Sequence, residues 1–277
     1  MKAWALIDGF RRALRAWPMA LMLSAFTLLP APALVLRDRL SAADFGIGGF
    51  PFNISASAYY TYALAPSQRA MLALLFLIWL FLSAGIIDRL ARDTRSSAAR
   101  FFAACGGCFG PLIRLGLLAL LVYSAVLRWI EPWMASQADG LAETSRLALF
   151  GALAIVLFLI AIVFDYARLR LVIEDRRSAI GAVLASVRML RAFGGRMLAV
   201  QAAFWLLLLL WITLRTQTAD AAPAWLIYAF VTGDMLLRLS LIGAQASIYQ
   251  AHLGSAGWVA RRDPIWPDEA SANPAAI

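Results

Sequence analysis

Six times along this 277-residue chain, apolar residues run for about the length needed to cross the ~30 Å hydrocarbon layer of a bilayer: 17–36, 71–87, 111–130, 147–164, 197–214 and 223–242. In that solvent a backbone N–H or C=O finds no water. Each run must therefore close its own hydrogen bonds as a helix, and none shows the alternation of a barrel strand. A composition that is 62% hydrophobic and only 15% charged lies outside the range of soluble domains. The sequence predicts an all-α integral membrane protein, with a six-helix transmembrane domain over 1–252 and a polar, proline-containing tail over 253–277 read as disordered.

Orientation follows from the arginines. The segments 1–16, 88–114, 165–196 and 238–277 hold 19 of the 25 basic residues, and the three intervening loops hold the other 6. Basic loops stay in the cytoplasm, so both termini are expected inside and the spans form three hairpins. Tryptophan agrees: Trp129, Trp133, Trp211 and Trp225 fall at the outer boundary, and Trp4, Trp17 and Trp258 at the inner one. The great excess of arginine over lysine, with abundant alanine, suits a bacterium with GC-rich DNA, which makes the expected location a bacterial inner membrane. A competing reading takes the basic segment, the apolar core PMALMLSAFTLL and the small residues Ala31 and Ala33 as a cleaved secretory signal, which leaves five spans.

A shift of 82 residues places Asp93, Arg95, Ser96 and Arg114 on Asp175, Arg177, Ser178 and Arg196, and Trp129 on Trp211. The two middle cytoplasmic connections read as copies of one unit: helix exit, charged turn, cytoplasmic helix, a glycine pair (Gly106 and Gly107, or Gly194 and Gly195), then re-entry. RALRAW at 12–17 echoes RMLRAF at 188–193, and LLRLSLI at 236–242 echoes YARLRLVI at 166–173. Two full and two half copies describe a pseudo-threefold bundle. Repeats of this kind occur in transporters, usually as pairs.

Charge concentrates at the end of the fourth run, in FDYARLRLVIEDRRS. Helical spacing pairs Asp165 with Arg168, Arg170 with Glu174, and Glu174 with Arg177. In the last run Asp234 and Arg238 stand four residues apart and face the same way. Ionisable groups at membrane depth are costly and tend to be functional, so Asp165, Arg168, Asp234 and Arg238 form a candidate polar site, the alternative being a salt-bridged helix exit. Arg114, Arg196, Arg168 and Arg238 would then form one basic ring at the inner interface.

Ser178 has the character of an N-cap, with Gly194 as a stop signal. Between them Ile180, Val183, Val187 and Leu190 share a stripe bordered by Arg177, Arg188 and Arg191. A helix of this kind lies in the interface, arginines reaching phosphate while the stripe sinks among acyl chains. The N-terminal segment, with Arg11, Arg12 and Arg15, shares the pattern. Together with Arg114 and Arg196 these arginines are the candidate contacts to anionic lipid headgroups; a membrane-protein partner or a second copy of the chain is the other expected partner, and nucleic acid is not.

CGGC at 105–108 has the outline of a redox or metal motif, but the chain holds two cysteines and one histidine, too few for a zinc site, and lacks the α/β context of a thioredoxin. The 82-residue shift places both cysteines on aliphatic positions, so they are read as packing residues. His252 reads as a surface residue. No catalytic set, metal or cofactor is expected. The aromatic outer loop 37–70 suits a lid over the bundle, with Pro66 and Ser67 opening the second span; the sequon at Asn53 means nothing in a bacterium.

At DYARLRLVIEDRRS, and in its six-span layout with amphipathic connections, the chain resembles a group of poorly characterised bacterial membrane proteins, similar to the membrane region that accompanies some glycerophosphodiester phosphodiesterases. The resemblance implies a membrane module. It carries over no activity, because the catalytic TIM barrel of those enzymes has no counterpart here. The expected function is a non-catalytic membrane protein that binds lipid or a partner protein; the alternatives are a transporter or its membrane subunit and, behind it, a lipid-acting enzyme.

Overall fold

The computed structural model describes residues 2–28, 66–93, 97–138, 143–218 and 224–256. Among them every regular element is helical, as the requirement for internally closed hydrogen bonds dictates. In chain order these are α1 (Lys2–Arg15), α2 (Trp17–Leu28), α3 (Pro66–Arg92), α4 (Ala98–Ala125), a π-helical turn (Val126–Ile130), α5 (Glu131–Ala138), α6 (Glu143–Ile173), α7 (Ala179–Thr218) and α8 (Ala224–Ala256). Three stretches among the described residues are long and apolar enough to cross a membrane: Ala98–Met134, Gly151–Ile173 and Ala179–Leu214.

Local chemistry sets the helix ends. The Ser97 hydroxyl accepts from the Arg100 N–H at 3.3 Å and starts α4; Ser178 accepts from Gly181 at 3.2 Å and starts α7, the cap its sequence position predicts. Pro66 opens α3, where a missing N–H costs nothing. α6 ends in paired reverse bonds, Arg176 N–H to the Leu171 carbonyl at 3.1 Å and Asp175 N–H to that of Val172 at 3.4 Å. The turn puts Asp175 at φ 49°, and Asp93, 82 residues earlier and just past α3, at φ 54°. The proposed copies thus share a left-handed backbone residue at matching positions, one that a short polar side chain tolerates.

Three readings need correction. Gly194 does not stop the helix: α7 runs for 40 residues, roughly 60 Å, with its one non-helical residue at Phe193 (φ −128°, ψ 16°). The counterpart glycine pair does not interrupt α4 at all; the helix passes through Gly106, Gly107 and Pro111. The break at Phe193 falls within one residue of the counterpart of the break between α1 and α2 at Ala16, since the RALRAW and RMLRAF echo places Ala16 on Ala192. α8 remains helical to Ala256, four residues past the expected domain boundary. The outer loop and its sequon lie almost wholly outside the described residues, as does nearly all of the tail.

α3 packs on α4, and α6 on α7, each pair joined by one of the two aspartate turns. α8 packs in the same way on α1, the far end of the chain. That contact is close because Gly9 lies against the Ser240 carbonyl and Ala244, and Gly243 against the Gly9 backbone; a Cβ on Gly9 would stand 2.4 Å from the Ser240 oxygen. α3, α6 and α8 touch one another and hold the core, which includes Ile86, Leu115, Ile162, Leu169, Leu239 and Ile242. The outer surface is equally apolar. Leu121, Ile155, Leu206 and Leu210 are 61–68% exposed. Leaving such side chains in water forgoes about 2 kcal/mol each, a cost that hydrocarbon removes.

Candidate functional site

Polar groups from three helices meet at one carboxylate inside this apolar core. Asp165, about two turns before the end of α6, takes the Arg168 guanidinium at 3.1 Å, the side-chain amide of Gln201 from α7 at 3.4 Å and that of Gln245 from α8 at 3.3 Å. The Gln245 amide also donates to the Gln201 carbonyl oxygen at 2.7 Å. Arg168, Gln201 and Gln245 are all buried. The charge of Asp165 is balanced by Arg168, and its remaining acceptor capacity is filled from two other helices, the arrangement that makes a buried ion pair tolerable. Nearby, Tyr123 and Tyr166 are buried with no hydrogen-bond partner for their hydroxyls among the described residues, and the same holds for the Gln245 oxygen. The node ties α6, α7 and α8 together at the level where their apolar spans end.

Asp234 and Arg238 also pair, at 2.7 Å, with both side chains at most 10% exposed. Both pairs of the predicted polar site thus form, one in α6 and one in α8. Each pair closes within its own helix, and Gln245, about 10 Å further along α8 than Arg238, makes the link to α6.

A second node sits below the first. Buried Glu174 receives Arg170 at 3.4 Å and Arg176 at 3.0 Å, and the Tyr249 hydroxyl donates to it. Arg176 takes the place expected of Arg177, because the left-handed turn at Asp175 carries the chain out of helical register and leaves Arg177 exposed. Burial, reinforced by the Glu174 carboxylate, pushes the Tyr249 phenol far above its ordinary range, so it remains a donor at all physiological pH.

The arginines divide. Arg12 departs from the headgroup expectation: it is buried, bonded to Asp8 at 2.8 Å, the Leu90 carbonyl at 2.9 Å and Gln250 at 3.2 Å. Gln250 in turn donates to the Ala91 carbonyl at 3.0 Å. These groups satisfy the last carbonyls of α3, which have no helical donor of their own. Arg11 and Arg15, about half exposed, reach Asp93 at 3.3 and 2.7 Å. Arg114, Arg177, Arg188, Arg191 and Arg196 are exposed, so the expected basic ring is split, with Arg168 buried and Arg114 and Arg196 at the surface.

Cys105 is fully buried with its sulfur beside Gly85, and Cys108 is half-buried; both are free thiols. Among the described residues no cluster of His, Cys, Asp and Glu could hold a metal. His252 is only partly exposed. Its ring lies 4.3 Å from that of Phe193, and burial, with Arg170 nearby, holds its pKa below the ordinary imidazole value.

Sequence reasoning missed Gln201, Gln245, Gln250, Asp8 and Tyr249. A signal was present: a glutamine inside an apolar run, as in MLAVQAAF or LIGAQASIYQ, is costly unless its amide finds partners, and such partners come only from other helices. No family model, curated protein or solved structure matches the chain.

Proposed function

We propose that the chain is a non-catalytic integral membrane protein of a bacterial inner membrane, built as six spans in a pseudo-threefold bundle with both termini in the cytoplasm, that binds lipid or a partner protein at its cytoplasmic face. One observation carries the reading: α7 changes character at Phe193, from a segment that shows arginines and scattered apolar residues on its outer face to one that shows Leu206, Leu209, Leu210 and Leu214. A helix with that division suits the bilayer boundary, its first half in the interface and its second in hydrocarbon. The pseudo-repeat is supported by the aspartate turns at Asp93 and Asp175 and by the way α1 completes, against α8, the pairing that α4 and α7 make against α3 and α6. The likeness in layout to the membrane region beside glycerophosphodiester phosphodiesterases belongs to the same proposal.

Reporter fusions test it. Fusions after residues 100, 185 and 260 report cytoplasm, and those after 50, 138 and 219 report the outside; a periplasmic signal from the fusion after 260 rejects the six-span arrangement. A transport role is the second reading, favoured by the buried Asp234–Arg238 pair at expected membrane depth. If it holds, Asp234→Asn abolishes uptake in vesicles and exchanging the two charges partly restores it.

A further inference from the structure

The arginines of this protein fall into two sets, and the difference is structural. Arg11, Arg12, Arg15, Arg168 and Arg238 each meet an acid within 3.3 Å. Arg177, Arg188, Arg191 and Arg196 are exposed, and no ion pair among the described residues engages them. α7 itself contains no acidic residue. Four cations with no carboxylate partner among the described residues, on one helix and the turn before it, form a surface suited to an anionic ligand.

The surroundings say what kind. At 100° per residue, Ile180, Leu184, Arg188 and Arg191 fall within one narrow outward stripe of α7, between its start and the break at Phe193. Ile180 is 66% and Leu184 54% exposed, so the stripe presents aliphatic groups and guanidinium groups together. A soluble anion uses only the second; a phospholipid uses both, acyl chain against Ile180 and Leu184 and phosphate against arginine. At the end of the stripe the helix breaks at Phe193, whose ring is held against His252. Beside the break lies a shallow, open depression lined by Ala192, Phe193, Gly195 and Arg196, and nothing lies within 4 Å of where a Gly195 side chain would begin.

We infer that this face of α7 is a binding site for an anionic phospholipid, with the phosphate seated at the Phe193 break beside Arg196 and flanked by Arg188 and Arg191. The site rests on the membrane reading above and narrows its ligand to a lipid with a net negative headgroup. Guanidinium suits it because its planar fork matches phosphate oxygens, and three positive groups favour a lipid whose charge is not cancelled by a choline.

The full chain, purified in a neutral detergent, is offered phosphatidylglycerol or phosphatidylcholine; the lipid retained is counted by native mass spectrometry and the melting temperature followed. Phosphatidylglycerol is retained preferentially and raises the melting temperature. Arg188→Gln, Arg191→Gln and Arg196→Gln each reduce that preference by about fivefold. Gly195→Leu, which places a bulky side chain over the depression and leaves the arginines in place, weakens retention of phosphatidylglycerol. Since all four positions are exposed or open, the variants retain the wild-type helical spectrum. Equal retention of the two lipids by the wild-type chain, unchanged preference in the triple arginine variant, or equal stabilisation by inorganic phosphate overturns the inference; an unaffected Gly195→Leu overturns the placement at the break. A chain that stays soluble and monodisperse without detergent overturns the membrane reading and this site with it, whereas correct topology with no lipid preference removes the site alone.

Discussion

Asp165 shows how one carboxylate organises a bundle. Its ion pair with Arg168 would be an expensive thing to bury alone; two glutamines from other helices, which also bond to each other, make it tolerable. Removing the charge therefore does more than delete one contact. Asp165→Asn leaves the buried Arg168 guanidinium without its counter-charge and destabilises the protein by about 3 to 5 kcal/mol. Replacing Asp165 and Arg168 together by leucine costs less than Asp165→Asn alone. Thermal and denaturant unfolding in detergent measure both, and a double variant no more stable than the single one rejects the paired account. The same logic explains Arg12, whose position in an arginine-rich amphipathic segment points to lipid but whose neighbours Asp8, Gln250 and the end of α3 claim it first.

At the scale of the element, α1 is defined by what it packs on. Its buried residues Ala5, Asp8, Gly9, Arg12 and Ala13 recur at helical spacing, one face of a helix laid along α8. The backbones approach closely only because Gly9 and Gly243 carry no side chain. Gly9→Ala puts a methyl group into the Ser240 carbonyl and forces the helices apart, with an expected loss of about 1 to 3 kcal/mol; the same change at Gly107, where a Cβ meets nothing, leaves the melting temperature unchanged or slightly higher. Equal melting temperatures for the two variants contradict this packing. The kink of α7 is likewise an element-scale feature with a residue-scale cause, Phe193 leaving the helical conformation with its ring held against His252. The glycines beside it permit the break, but a like pair in α4 permits none, so glycine alone does not decide.

For the whole molecule, the first and last described helices, α1 and α8, pack together in the way that α3 and α4, or α6 and α7, do across a turn. Stability should be highest where the three inner helices meet. Amide exchange in micelles is expected to be slowest over 160–173 and 239–250, which hold the Asp165 and Glu174 nodes, and faster over 179–192 on the outer side; the reverse order contradicts a core centred on α3, α6 and α8. The helical class, the caps at Ser178 and Pro66, the pairing of Asp165 with Arg168 and of Asp234 with Arg238, and the likeness of the turns at Asp93 and Asp175 are all written within a few residues of where they act, because hydrogen-bond closure, capping and i to i+4 spacing are local. Which arginines are buried, where α7 breaks, and why Gln201, Gln245 and Gln250 sit in apolar runs were decided only by the tertiary structure, since a polar group in such a run is satisfied by partners 36 to 238 residues away, and nothing in its own neighbourhood names them.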